Sequence, residues 1–253
     1  MTLPPKQLPH AVLVTLDIDW APDWMIENVA QRLIEAGVRA TFFATHDSSA
    51  TRALEREPLF EVGVHPNFLP GSSHGNTPEE VLRTMRTMFP HATAVRTHSL
   101  AQSEPTLGMM ADRFGFKIDC SVHLPRASHA APHWVRYAAG GKRLVRIPHI
   151  FQDNMHALAG MPWDLEADWF VSPGWKVMNF HPVHIILNSA DLEAYGRLKA
   201  LGPVSKLVMS DIPDIDREKP GTGRLFDDLL KRLSATQSYK VSERVALWLE
   251  VGE

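Results

Sequence analysis

Apolar residues recur along this chain with two alternating periods. Residues 11–16, Ala-Val-Leu-Val-Thr-Leu, form an unbroken run rich in β-branched side chains that stops at Asp17, which predicts a buried strand. Helical spacing follows through Met25, Ile26, Val29, Leu33 and Ile34, with Gly37 placed as a C-cap. Residues 38–44 return to strand character, and residues 60–65 predict a third short strand. Thr77-Pro78-Glu79-Glu80 opens a helix that should run to Met88: Thr77 can cap, Pro78 suits the first helical position, and Glu80 completes a capping box. Pro90 ends it. The alternation continues with strands at 93–97, 116–120 and 176–181, and helices at 105–113, 165–171, 190–200 and 222–233. Such alternation predicts βαβ units around a parallel sheet. Residues 121–163, dense in Pro, His, Gly and aromatics, and residues 210–222 predict loops. With no internal repeat, residues 1–253 read as one domain, the size of a single β/α barrel.

Composition narrows the functional classes. Hydrophobic residues are 44% and charged residues 22%, enough apolar material for a large core. The formal charge is −3 with both signs mixed along the chain, so no basic footprint for nucleic acid or anionic lipid is present, and a small or neutral partner is expected. Cys120 is the single cysteine, which rules out an internal disulfide. The first ten residues lack a signal-peptide pattern, and no apolar run approaches the roughly 18 residues of a membrane span. The expectation is a soluble, cytoplasmic protein.

The chemistry gathers at strand ends. The first strand runs into Asp17-Ile18-Asp19-Trp20, where the two acids can share one side of an extended segment. Such a pair can split into a cation ligand and a base, or it can cap the following helix near Trp24. The third strand ends in His65-Pro66-Asn67, and His74 follows across a Gly/Pro/Ser loop; the two histidines either converge on one metal or decorate a surface loop. Arg96-Thr97-His98 follows another strand, where Arg96 can hold a carboxylate ionised or form a structural ion pair. Asn179-Phe180-His181 ends a late strand and puts His181 where a general acid is needed, unless it is a packed core histidine.

That order resembles the polysaccharide deacetylases with a NodB homology domain (carbohydrate esterase family 4), whose motifs are T-F-D-D-G, H-T/S-x-x-H, R-x-P and a late L-x-H. The corresponding elements are Thr15-Leu16-Asp17-Ile18-Asp19, His65 to His74, Arg96-Thr97-His98 and Asn179-Phe180-His181, and Ala40-Thr41-Phe42-Phe43 resembles the A-T-F-F strand of these proteins. The phrases H-P-N-F-L-P-G-S-S-H-G and F-H-P-V-H-I-x-L-N look closest to a WbmS-like subgroup associated with O-antigen gene clusters. The resemblance covers residues 11–188 and implies a distorted (β/α)7 barrel. It implies Asp17 as general base, Asp19 and His65 as metal ligands, Arg96 as the residue orienting Asp17, and His181 as general acid. Leu69 stands where the family's second histidine ligand would be, and His74 is taken as its replacement.

The implied cofactor is one divalent ion, zinc first, with cobalt, nickel or manganese compatible with two imidazoles and a carboxylate. The implied reaction is hydrolysis of the amide of an N-acyl amino sugar or glycan intermediate. Trp20, Asn67 and His98 are expected to form the sugar-site walls, with His184, His149 and Asp153 as further candidates and Thr45-His46-Asp47 either a mouth group or a polar loop. Two other readings stay open: a metal-dependent hydrolase of a non-sugar amide or phosphoester, and a non-catalytic glycan-binding barrel.

Overall fold

The structure, a computed structural model, describes residues 10–137, 141–234 and 238–252; the first nine residues, on which the signal-peptide expectation falls, lie outside them. Among the described residues nine strands form one curled sheet: β1 (Ala11–Asp17), β2 (Ala40–Ala44), β3 (Phe60–Val64), β4 (Ala94–Val95), β5 (Ile118–Asp119), β6 (His133–Val135), β7 (Leu144–Arg146), β8 (Phe151–Gln152) and β9 (Trp175–Phe180). Their order is β6-β7-β5-β4-β3-β2-β1-β9-β8, and every pairing is parallel except β6 with β7. The helices are α1 (Asp23–Glu35), α2 (Ser49–Arg56), α3 (Pro78–Met88), α4 (Glu104–Asp112), α5 (Asp153–Leu158), α6 (Asp168–Val171), α7 (Pro182–Ile186), α8 (Glu193–Leu201), α9 (Thr222–Leu233) and α10 (Val241–Gly252). The architecture is a distorted β/α barrel.

The period-2 geometry of strands decides what faces the interior. Along β1, Val12, Val14, Leu16 and Ile18 belong to the cluster packed under the helices, whereas Ala11 and Leu13 belong to a second, interior cluster. Continuing that alternation puts Thr15 and Asp17 on the interior side. The same rule applies to β9, where Met178 and Phe180 pack outward and Trp175 and Val177 inward, leading to Asn179 and His181. Phe43, Ala94, Ile118, Cys120, Val145 and Ile147 complete the interior cluster. The barrel is therefore apolar below and polar at the carboxyl ends of its strands.

Local signals account for the elements read correctly. α1 ends through Gly37 at φ 63°, a conformation that suits glycine, and its N–H donates to the Ile34 carbonyl. Thr77 caps α3 by accepting from the Glu80 N–H, while the Glu80 carboxylate accepts from the Thr77 N–H. Gly63 leaves room for its neighbours: a Cβ there would lie 2.9 Å from both the Phe43 ring and the Ala94 carbonyl oxygen.

Several expectations change. Residues 121–163 are not only loop but contain β6, β7, β8 and α5, elements of two to six residues held by neighbouring strands rather than by periodicity. The helix expected at 165–171 is the single turn α6, and α2, α7 and α10 are additional. α10 closes the amino-terminal end of the barrel, where Val241 and Val245 join the interior cluster. Its first N–H groups donate to Thr41 Oγ1 and Glu61 Oε2, so two strand side chains cap the helix. Among the described residues no helix is long and apolar enough to cross a membrane.

Candidate active site

The carboxyl ends of β1, β3, β4, β8 and β9 bring Asp17, His65, Arg96, Asp153 and His181 together. Arg96 is fully buried and organises the group. Its Nη1 donates to Asp17 Oδ1 (3.0 Å), Thr15 Oγ1 (3.0 Å) and Asn179 Oδ1 (2.7 Å), and its Nε donates to the Cys120 carbonyl (3.2 Å). The guanidinium lies 4.4 Å from the centroid of the Phe43 ring. Asn179 Nδ2 donates to the other Asp17 oxygen at 2.7 Å, so both carboxylate oxygens are fixed. Burial alone would push the Asp17 pKa up, but the charges of His65, Arg96 and His181 outweigh it and hold this carboxyl below its usual range.

Asp19 is not in extended backbone, as the D-x-D reading assumed. Asp19 and Trp20 have φ of 42° and 55°, which turns the chain so that the Ala21 N–H donates to the Ile18 carbonyl. Positive φ at two non-glycine residues costs on the order of 1–2 kcal/mol each, a strain typical of functional sites. Neither acid caps α1, whose N-cap is Pro22 without a side-chain bond.

The turn brings Asp19 Oδ1 to 3.1 Å from His65 Nε2 and 3.1 Å from His98 Nδ1, and those two nitrogens are 3.3 Å apart. His65 Nδ1–H donates to the Arg96 carbonyl at 2.7 Å, which leaves Nε2 as the ring nitrogen that faces Asp19. A divalent ion held at about 2.0–2.2 Å by two imidazoles and a carboxylate sets its donors about 3 Å apart, the size of this triangle. Asp19, His65 and His98 thus form a group that can hold a metal ion. Burial pushes the Asp19 carboxyl up, yet the hydrogen bonds from His65 and His98 take it well below the usual range.

The third member is His98, which was expected at the sugar-site wall, and not His74. Both His74 nitrogens are engaged elsewhere: Nε2–H donates to the Thr45 carbonyl (2.7 Å), and Nδ1 accepts from the Asn67 N–H (3.1 Å). Its ring stacks on Trp20 at 5.5 Å, and Trp20 also meets the edge of His98 at 5.2 Å. His74 therefore braces the loop after β3, which bears Asn67, against Trp20 in the loop after β1. Asn67 itself is half-buried, with its side-chain oxygen accepting from the Leu69 N–H. Asp47 pairs with Arg52, and His46 bonds Thr45, which favours the polar-loop reading of that segment.

His181 faces both acids, with Nε2 3.9 Å from Asp17 Oδ2 and 3.7 Å from Asp19 Oδ2. Behind it, Asp153 Oδ1 is 2.6 Å from His181 Nδ1, and Asp153 Oδ2 accepts the His181 backbone N–H at 2.7 Å. Burial would lower the His181 pKa, but the Asp153 charge and hydrogen bond, with Asp19 and Asp17 behind them, raise it to about 10. Asn179 is the residue the sequence reading missed; its inward register, two positions before His181, is the signal that would have found it. His184 bonds Ser189 and packs against His181 and Tyr195, and burial drives its pKa down to about 4.

Comparison with known proteins gives a family match and several structural relatives. The model of the family described as WbmS-like polysaccharide deacetylase matches residues 14–199. Among solved structures, WbmS of Bordetella bronchiseptica, described as a polysaccharide deacetylase involved in O-antigen biosynthesis, is 29% identical, with 87% of this chain and 90% of that chain covered and a TM-score of 0.74. A peptidoglycan N-acetylglucosamine deacetylase is 12% identical over 92% of this chain and 86% of that one, with a TM-score of 0.48. A family 4 carbohydrate esterase from Bacillus anthracis is 14% identical over 94% and 83% of the respective chains, with a TM-score of 0.43. No curated protein sequence matches the chain.

Proposed function

The chain belongs to the WbmS-like polysaccharide deacetylases, and from that premise we propose that it is a metal-dependent N-deacylase. Its substrate is an N-acylated amino sugar of a surface-polysaccharide intermediate, as the description of its Bordetella relative suggests. The whole of residues 1–253 serves as one catalytic domain. The observation that carries this reading is the coexistence of a fixed carboxylate, Asp17, and a buried His181–Asp153 pair, both within about 4 Å of members of the Asp19–His65–His98 triangle.

Asp19, His65 and His98 would hold the divalent ion, with zinc the first choice for this donor set and cobalt, nickel or manganese compatible. When bound, such an ion would supply Lewis acidity toward the acyl carbonyl and the attacking water. Asp17 takes the proton of the attacking water. Arg96 and Asn179 keep Asp17 ionised and aimed, since each holds one of its oxygens. His181 delivers a proton from Nε2 to the departing amine, a step that amide cleavage requires because an amide anion leaves so poorly. Asp153 holds the Nδ1 proton and favours the imidazolium, so that Nε2 carries a proton at neutral pH. Trp20 offers an aromatic face at the mouth suited to a pyranose ring.

Asp17→Asn tests the assignment, with release of free amine measured on a panel of N-acetylated amino sugars. Turnover should fall by about 100-fold or more with metal content retained. Near-normal turnover in this variant contradicts the role given to Asp17.

A further inference from the structure

Beside the site lies a second cavity of about 220 Å³, lined among others by His123, Arg126, Phe151, Gln152, Met155 and His156. It shares a wall with the catalytic group. The Cys120 carbonyl that accepts from Arg96 Nε also lies 3.3 Å from His149 Nδ1, and the His149 ring stacks on His123 at 4.8 Å with only 3° between planes. His149 Nε2 is 3.1 Å from the side-chain amide of Gln152, whose neighbour in sequence is Asp153, the partner of His181. The fully buried His149 thus touches both the Cys120 carbonyl behind Arg96 and the His123 and Gln152 side chains that line the cavity.

The lining has a defined chemistry. Among the described residues that line it there is no carboxylate. Its cation, Arg126, is exposed and is bonded to the Met161 sulfur at 3.4 Å rather than to an acid. Arg126 also sits at φ 56°, an unfavourable conformation for this side chain, kept by its N–H donating to the Ile150 carbonyl at 2.8 Å. Most other non-glycine residues at positive φ lie in the segments that carry the site: Asp19, Trp20, and Ser99 and Leu100 just after His98. Burial holds His123 below the usual imidazole range, so it is a neutral group that can donate or accept, whereas His156 spends its N–H on the Pro162 carbonyl. The volume falls short of the roughly 300–1,000 Å³ that encloses a drug-sized ligand, so it suits a substituent rather than a whole sugar chain.

We infer that this cavity is an anion subsite, in which Arg126 with His123 receives a phosphate ester joined to the amino sugar whose acyl group lies at the catalytic centre. The inference rests on the deacylase reading for the second half of that statement only; the anion site stands or falls by itself. A sugar carried on a phosphate, through a nucleotide or a lipid, would span both spaces, and a neutral glycan would leave the second one unfilled.

Met155 lines this cavity and Met161 contacts Arg126, which gives a local readout. With methyl-labelled methionine, the protein is titrated with inorganic phosphate, N-acetylglucosamine 1-phosphate, N-acetylglucosamine and glucuronate while the methionine methyl resonances are followed. The Met155 and Met161 methyls should shift with both phosphates and not with the neutral sugar. Arg126→Gln should weaken the phosphate response by about 10-fold or more, the usual worth of a charge-assisted hydrogen bond, and Arg126→Lys should restore part of it. No shift with either phosphate, a response unchanged in Arg126→Gln, or a response to glucuronate alone overturns the assignment. Comparing UDP-N-acetylglucosamine with a prenyl-diphosphate N-acetylglucosamine identifies the carrier by which shifts the methyls at lower concentration. Shifts without deacylation of any phosphorylated sugar would keep the anion site and count against the deacylase reading. Deacylation of neutral glycans, unaffected by Arg126→Gln and without methyl shifts, would do the reverse.

Discussion

Replacing Asp153 with Asn keeps the side-chain volume and removes one negative charge from a fully buried position. The Asn oxygen can still accept the His181 backbone N–H, a bond of 2.7 Å in the wild type. The amide nitrogen then faces His181 Nδ1, across the 2.6 Å contact where the carboxylate now accepts a proton. Two donors cannot meet there, so His181 must turn neutral, with its single proton on Nε2. The neutral ring is a far weaker acid than the imidazolium that Asp153 sustains. General acid catalysis is worth about 100- to 10,000-fold, or roughly 3–5 kcal/mol of barrier, so turnover of an N-acetyl sugar should fall within that range. The diagnostic assay pairs that substrate with 4-nitrophenyl acetate, whose leaving group needs no proton. The ester should lose no more than about fivefold, because Asp17 and the metal triangle are untouched. An equal loss on both substrates would make Asp153 a structural residue, and no loss on the amide would remove His181 from the acid role.

Three further outcomes follow from the packing and the buried charges. Burial, with the Arg96 charge adding to it, depresses the His149 pKa to about 3, so folding favours the neutral ring. Its contribution to stability is complete above the unfolded value near 6.5 and is lost as pH falls toward 3, amounting to about 2 kcal/mol between pH 7.5 and 5. Urea unfolding of His149→Gln should accordingly show a pH 7.5-to-5 decrease smaller by about that amount, and an identical decrease refutes the neutral buried state. Phe226 is fully buried against Phe180 and the Arg32 guanidinium, so Phe226→Ala should destabilise by about 3–5 kcal/mol in denaturant titration while leaving the metal affinity of the folded protein unchanged. The α3 cap is local: Thr77→Ala should cost about 1 kcal/mol by the same measurement, and a neutral result would show that the capping box is redundant there.

Legibility in the sequence followed the locality of the cause. β1, β2, β3 and β9 are five to seven residues long and apolar on at least one face, and the capping residues of α1 and α3 are contiguous with the helices they end or begin. Asp17, His65, Arg96 and His181 were readable because each ends or follows a strand and their order matches a known pattern. His98 was assigned to the wall and His74 to the metal because spacing along the chain says nothing of the turn after Thr97. There Ser99 and Leu100 adopt positive φ, His98 points back to Asp19, and His74 is consumed by the Thr45 and Asn67 backbone. β8 and α5, which deliver Asp153, lie in a stretch without periodicity, since a two-residue strand takes its conformation from β9 beside it. Asn179 was hidden by its apolar neighbours, although strand alternation assigns it to the interior.

The metal triangle is tested most directly by elemental mass spectrometry of the wild type, His98→Ala and His74→Ala after reconstitution and gentle desalting. About one divalent ion per chain is expected in the wild type and in His74→Ala, with little in His98→Ala, because His98 Nδ1 lies 3.1 Å from Asp19 and His74 has no free nitrogen. Metal retained by His98→Ala and lost from His74→Ala, or absent from all three proteins, would contradict the Asp19–His65–His98 site.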